Sequence, residues 1–183
     1  MRFNKTYYLK NGDELVIRNA ETSDAKELLD EFLLTHEETD YLLSYTDENT
    51  FSVQDEADFI QESIDSDGDL QLVAIYNGKL VGSAGVESTG KQYKVKHRAN
   101  FGISILKEYW GLGIGTILTE VCIDCAKAAG YLQLELEVVS DNEKAYLLYK
   151  KLGFIEMGRN PLGFNSRISG FQELIAMRME LNK

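Results

Sequence analysis

Three glycines at alternating positions, in Trp110-Gly111-Leu112-Gly113-Ile114-Gly115-Thr116, are the residues whose type and spacing most directly imply chemistry. Without a Cβ, successive backbone N–H groups can turn toward one point, and a ligand can come up against the main chain. Such a turn is an anion cradle. The apolar run over residues 116–129 reads as a helix that opens inside the turn. Its unpaired N–H groups and the positive end of its dipole then face the same anion, a phosphate by preference. A dinucleotide fingerprint does not fit, because the third glycine comes one place early, and a P-loop does not fit because Gly115-Thr116 lacks the lysine. A glycine-rich connection chosen only for its tight turn is the bland alternative, which the turn by itself leaves open.

Other candidates are weaker. Cys122 and Cys125 form a C-x-x-C inside a helical pattern with no second Cys/His pair nearby, so two small core side chains are favoured over a redox or zinc site. His36 and His97 are isolated, without triad or metal-ligand spacing. No metal is expected. A length of 183 residues with 44% apolar and 27% charged side chains suits one globular domain over residues 1–183. A net charge of −11 argues against nucleic acid or an anionic membrane surface as partner and is compatible with a cationic one. The beginning of the chain has no apolar signal-like core and no stretch is long enough to span a bilayer, so a cytoplasmic location is expected. A homodimer is compatible with the sequence.

The elements that must position the turn follow from pattern. Residues 14–18 read as a strand, and Thr22, Ser23 and Asp24 offer caps to a helix with Leu28, Leu29, Phe32 and Leu33 on one face. A second helix over residues 53–64 repeats the pattern with Ala57, Ile60 and Ile64. Between them, residues 35–50 carry Glu37, Glu38, Asp40, Asp47 and Glu48, either a solvated loop face or a lip that attracts a cationic substrate. Residues 70–76 and 79–88 form a hairpin about Asn77-Gly78, and residues 98–106 extend the meander into the glycine turn. The next helix is inward at Ile114, Ile117, Leu118, Val121, Cys125 and Ala128, with Gly130 as its left-handed stop. Residues 132–138 alternate perfectly and form a strand parallel to the one ending at Leu106. Ser140-x-x-Glu143 reads as a capping box for a last helix with Ala145, Leu148, Tyr149 and Leu152 on one side and Gly153 closing it. Residues 154–158 and 173–181 are the last strands. The connection between them, with Pro161, Gly163 and Gly170, is expected to be a mobile surface loop.

Taken in order, three of these elements carry a resemblance. The glycine turn is similar to the Arg/Gln-x-x-Gly-x-Gly/Ala motif of the Gcn5-related N-acetyltransferase (GNAT) superfamily. Leu136-Glu137-Val138 resembles that family's following strand, and Asn142-x-x-Ala145-x-x-Leu148-Tyr149-x-Lys151-x-Gly153-Phe154 its following helix. The match runs over residues 97–158 and is closest to the branch of ribosomal-protein alanine N-acetyltransferases. The resemblance implies a single-domain α/β (α+β) fold. Its mixed, mostly antiparallel sheet is flanked by about four helices and splays open between the strands ending at Leu106 and Val138, with acetyl-CoA in the split. It implies transfer of an acetyl group to a primary amine of a small molecule or a protein N-terminus, directly within a ternary complex. A non-catalytic acyl-CoA-binding sensor is the alternative.

Residue by residue, the resemblance implies that the backbones of Ile103, Ser104 and Ile105 pair with the pantetheine arm. Gly111, Leu112, Gly113, Ile114, Gly115 and Thr116 hold the pyrophosphate, and Asn142 holds the pantetheine. Tyr149 is implied as the acid that protonates the departing thiolate, and Glu137 as the base. Glu137 also reads as a plain solvent-face strand acid like Glu135. Two positions depart from the family pattern. Trp110 replaces its Arg or Gln, and Asn100 stands where histone-type members carry a glutamate on the strand before the turn.

Overall fold

The computed structural model describes residues 2–181. Eight strands form one mixed sheet: β1 (Asn4–Tyr8), β2 (Glu14–Asn19), β3 (Leu70–Tyr76), β4 (Lys79–Ser88), β5 (Arg98–Ile105), β6 (Gln133–Val139), β7 (Ile155–Ser166) and β8 (Gly170–Glu180). Their order across the sheet is β1-β2-β3-β4-β5-β6-β8-β7, and only β5–β6 is parallel. Helices α1 (Ala25–Glu38) and α2 (Val53–Asp65) cover one face, while α3 (Ile114–Ala128) and α4 (Glu143–Leu152) cover the other. The strand alternation assigns the faces. Leu72 and Ala74 of β3 join the core under α3, whereas Val73 joins Ala25, Leu28 and Ile60 beneath α1 and α2.

Local chemistry explains most boundaries. Asn77 and Gly78 both take positive φ, 48° and 84°, which matches the right-handed twist of β3 and β4. Ser52 and Asp55 make a reciprocal capping box at α2. On α3, Ile114, Leu118, Val121, Cys122, Ile123, Cys125 and Ala126 are buried, so both cysteines are core side chains and free thiols. Ala128, expected to face inward, is exposed one turn later as the helix leaves the sheet. Ile64 of α2 is likewise half exposed. Gly153 at φ 105° ends α4, as read from the sequence. Its beginning differs: Asn142, not Ser140, is the cap, and its side chain accepts from the Ala145 N–H.

Two strands depart from the sequence reading. β1, for which the sequence pattern gives no strand expectation, pairs with residues 14–18 of β2. The expected loop between residues 158 and 173 is instead the outer part of the β7–β8 hairpin. Pro161, which lacks an N–H, falls where the register of β7 slips between Asn160 and Phe164, at the edge of the sheet where a missing ladder bond is tolerated. Gly163 is needed there, because a Cβ would lie 2.4 Å from Leu174.

Candidate active site

The parallel pairing of β5 with β6 lasts three residues, Arg98 to Asn100 against Gln133 to Glu135, and then stops. Arg98 clasps the Glu135 carboxylate through two hydrogen bonds, the second at 2.7 Å, and closes the base of the opening. Beyond it, β5 continues to Ile105 beside β4 and β6 continues to Val139 beside β8. The sheet therefore splits, leaving main-chain groups of two strands unpaired along a cleft. Ladder parity identifies them. Leu106 donates to Val81 of β4 and His97 accepts from Leu132, so the even-numbered residues of β5 turn their backbone toward β4 and the odd-numbered ones toward β6. Ile103 and Ile105 thus present main-chain groups to the split. The backbone of Ser104 is taken up by Ser83 across the β4 ladder, and what Ser104 has to offer is its hydroxyl.

The far end of the split is the glycine turn. Gly111 and Gly113 lie at φ 82° and 93°, in the left-handed region that a Cβ would strain, and nothing stands within 4 Å of where either Cβ would be. Gly113 is the N-cap of α3 and supplies no side-chain acceptor; the first helical bond runs from Ile117 N–H to its carbonyl. Ile114, Gly115 and Thr116 are left with N–H groups that have no partner within the helix. A Cβ on Gly115 would instead point between the Ile105 and Leu148 side chains, at 3.4 and 3.7 Å, so that glycine lies beneath a packed apolar contact. The residues fit a pyrophosphate: positive-φ glycines, open N–H groups and the dipole of a four-turn helix meet at one place. Trp110 does not leave its position vacant, because its indole N–H donates to the Ile105 carbonyl at 2.7 Å and ties the turn to the end of β5.

The remaining expected site residues flank the split on both faces. Tyr149 on α4 is 7% exposed and packs edge-on against Phe101 and Phe154, with ring centroids 6.1 and 5.8 Å away. Burial pushes its phenol pKa up, so it keeps its proton. Asn142 spends its carbonyl oxygen on the helix cap, leaving the amide N–H₂ to donate. Glu137 is exposed on β6. It lies on the α1 side of the sheet with Glu135, because Leu134, Leu136 and Val138 fill the opposite face.

Sequence reasoning passed over Glu31. It sits on α1, 3% exposed, and accepts hydrogen bonds from Ser104 at 2.8 Å and Ser83 at 3.2 Å. Burial pushes its pKa up to about 7, against the pull of the two hydroxyls. One signal was available: Glu31 stands three residues after Leu28 and four before Thr35, on the line of the buried stripe.

The acidic segment, read from the sequence as either a solvated face or a lip for a cationic substrate, meets the β7–β8 turn. Asp40 accepts from Ser166 at 2.7 Å, Ser169 at 2.8 Å and Gln172 at 3.2 Å, and Arg167 pairs with Asp47 and Glu48 over the Tyr45 ring. Glu38 accepts from the Lys107 N–H at 2.7 Å. Most of these acids are therefore engaged within the protein. A separate open depression of about 550 Å³ beside the start of α4 is lined by Ser140, Asp141, Glu143, Tyr146, Arg159 and Ile175, and includes neither the glycine turn nor β5. Among the described residues, no cluster of three His, Cys, Asp or Glu side chains is arranged to hold a metal, and no helix is long and apolar enough to cross a membrane.

A sheet split after three parallel pairs and closed at one end by an uncapped helix in a glycine turn is the arrangement that the resemblance to the GNAT superfamily implies. Residues 28–154 match the model of the acetyltransferase (GNAT) family, and the chain belongs to that family as an N-acetyltransferase. It is 31% identical over 144 residues to the L-amino acid N-acetyltransferase AaaT of Escherichia coli, covering 77% of this chain and 83% of that one. A shorter stretch of 57 residues is 42% identical to N-alpha-acetyltransferase 30 of Schizosaccharomyces pombe, spanning 31% of this chain and only 38% of the yeast protein. The crystal structure of a GNAT-family acetyltransferase from Streptococcus pneumoniae superposes with a TM-score of 0.85 at 32% identity, covering 91% of this chain and 99% of that one. The yncA acetyltransferase of Salmonella typhimurium, solved with acetyl-CoA, shares the fold at a TM-score of 0.82 and 18% identity over 92% of this chain and 95% of that one.

Proposed function

We propose that the protein moves the acetyl group of acetyl-CoA directly to the primary amine of a small acceptor of the amino-acid type, within a ternary complex. The observation that carries this reading is the split between β5 and β6 ending in the uncapped N-terminus of α3. Gly111 to Thr116 hold the pyrophosphate by main-chain N–H groups. Ile103 and Ile105 offer the backbone polar groups that align the pantetheine and polarise the thioester carbonyl, and Asn142 donates to the same arm. The amine nitrogen attacks the carbonyl carbon, the C–S electrons move to sulfur, and Tyr149, which burial keeps protonated until then, donates to the departing thiolate and regains a proton from solvent once CoA leaves. A small acceptor is favoured over an extended polypeptide because the segment around Asp40 is tied to the β7–β8 turn rather than left as an open groove. The extensive similarity to an amino-acid acetyltransferase points the same way. Glu137, exposed across the split on the Ser104 side, is the sequence-derived candidate for the base.

The test is thiol release from acetyl-CoA across a panel of free amino acids, polyamines and peptides with free N-termini. Turnover on one or more amino acids, with product mass raised by one acetyl group, is the expected result. Calorimetric CoA binding without turnover on any amine establishes the sensor instead, and preference for peptides moves the acceptor to protein N-termini.

A further inference from the structure

Helix α1 buries a carboxyl group where an amphipathic helix ordinarily places an aliphatic one. Its inward line is Ala25, Leu28, Glu31 and Thr35. Thr35 satisfies itself locally by donating to the carbonyls of Glu31 and Phe32. Glu31 does not: its two oxygens reach across to neighbouring strands, Oε1 to the Ser104 hydroxyl and Oε2 to the Ser83 hydroxyl, and those hydroxyls are 3.2 Å from each other. The charges acting on it are carboxylates, Glu56 from α2 and Glu38 from the last turn of α1, and both oppose its ionisation. Burying a carboxylate among hydroxyls and other acids is costly, so a structural role alone would be met better by a neutral side chain. Ser104 lies on the stretch of β5 that has lost its parallel partner. It is only partly buried, and its neighbours Ile103 and Ile105 face the split.

We propose that Glu31, rather than the exposed Glu137, takes up through the Ser104 hydroxyl the proton that the acceptor amine loses during acetyl transfer, with Ser83 holding the carboxylate in place. This assignment rests on the transferase reading above. As the N–C bond forms and the C–S bond breaks, the amine proton passes to Ser104 Oγ and the hydroxyl proton passes to Glu31 Oε1. The thiolate is protonated separately, and Glu31 returns its proton to solvent after product leaves. Ser104 is the group that meets the substrate, and Glu31 is the positioned acceptor behind it. A carboxyl that ionises near pH 7 is matched to such a transfer.

The experiment is kcat/KM against pH, from pH 5.5 to 9, on the amine found by the panel, for wild type, Glu31→Gln, Glu31→Asp, Ser104→Ala and Ser83→Ala. Wild type should lose activity below about pH 7 along a one-proton limb separate from the higher pKa of the substrate ammonium. Glu31→Gln should lower kcat/KM by about 100-fold and abolish that limb with CoA affinity unchanged by calorimetry. Glu31→Asp should restore part of the rate, and Ser104→Ala should cost more than Ser83→Ala. A Glu31→Gln enzyme that keeps the limb and stays within a few-fold of wild type overturns the assignment while leaving the transferase reading intact. If that variant does not fold, ¹³C-carboxyl NMR of the wild-type protein decides: Glu31 ionising near 7 supports it, and ionisation below about 5.5 overturns it. Absence of turnover by wild type on every amine removes the transferase reading, and this assignment with it.

Discussion

Helices α3 and α1 lie on opposite faces of β5 and use polar groups in opposite ways. The buried side of α3 is apolar but for Thr119, whose hydroxyl returns to the Gly115 carbonyl, and its binding capacity is concentrated in unpaired main-chain N–H groups at one end. Helix α1 presents side-chain chemistry in its middle, a carboxyl and a hydroxyl inside an otherwise apolar stripe. A backbone-built site depends on the absence of Cβ atoms and tolerates many sequences at the positions between. A site built from side chains depends on partners brought in from other strands, here Ser83 and Ser104, 52 and 73 residues along the chain. The proposed cosubstrate cradle is of the first kind, and the proposed proton acceptor is of the second.

The largest expected effect sharpens the α3–α4 side of that contrast. Tyr149→Phe keeps the ring that packs on Phe101 and Phe154 and removes only the hydroxyl. If the phenol protonates the thiolate, kcat falls by roughly 10²–10⁴-fold while CoA affinity and thermal stability stay near wild type. An unchanged kcat in stopped-flow or steady-state assay takes Tyr149 off the catalytic list and leaves it as core.

Gly113→Asp tests whether the cradle is backbone-built. It forces a side chain into a φ of 93° and sets a negative charge at the N-terminus of α3, the proposed phosphate site. CoA affinity should drop by at least about 100-fold in calorimetry, since each 1.4 kcal/mol is tenfold. Gly115→Ala sets a milder contrast, because its Cβ meets only Ile105 and Leu148 at van der Waals distance; a loss as large as that of Gly113→Asp would show that packing, not anion binding, dominates the turn.

On the other face, the raised pKa of Glu31 makes a stability prediction independent of activity. The folded carboxyl holds its proton up to about pH 7, whereas an ordinary one releases it near 4.5, so the folded state binds more protons in that window and stability falls as pH rises through it. Glu31→Gln should flatten this dependence and stabilise the protein above pH 7, by at most roughly 3 kcal/mol. Matching melting curves for the two proteins at pH 5 and pH 8 would sink the idea. A stabilised but slow enzyme would mean that α1 carries a functional cost absent from the buried face of α3.

The smallest of these effects concerns the rim. Asp40→Ala removes the carboxylate shared by Ser166, Ser169 and Gln172, leaving the buried Ser166 hydroxyl without its acceptor while the Gln172 amide keeps the backbone carbonyl of residue 40. A loss of about 1–3 kcal/mol in chemical denaturation is expected. The acceptor KM should rise while the Kd for CoA holds. Equal changes in both would mean that the rim supports the whole split rather than the acceptor side.

The β3–β4 hairpin, the glycine turn, the face of α3 and the placement of Asn142 and Tyr149 on one helix were legible in the sequence. Each is decided within a few residues, by the φ that Asn77, Gly78 or Gly113 can adopt or by a period of two or 3.6 along one segment. The family motif lies in that local stretch too. Strand β1 and the outer part of β7 were not legible, because an edge strand is exposed along most of its length and carries little alternation, and Pro161 in β7 argues against a strand until its bulge is seen. The tertiary structure alone decided that Glu31 meets Ser104, that Asp40 closes on a turn more than 120 residues away, and which backbone groups of β5 face the split. In a linear pattern an acid on a helix reads as solvated, and its pKa and partners come into being only when the sheet excludes water around it and brings two hydroxyls from β4 and β5 within reach.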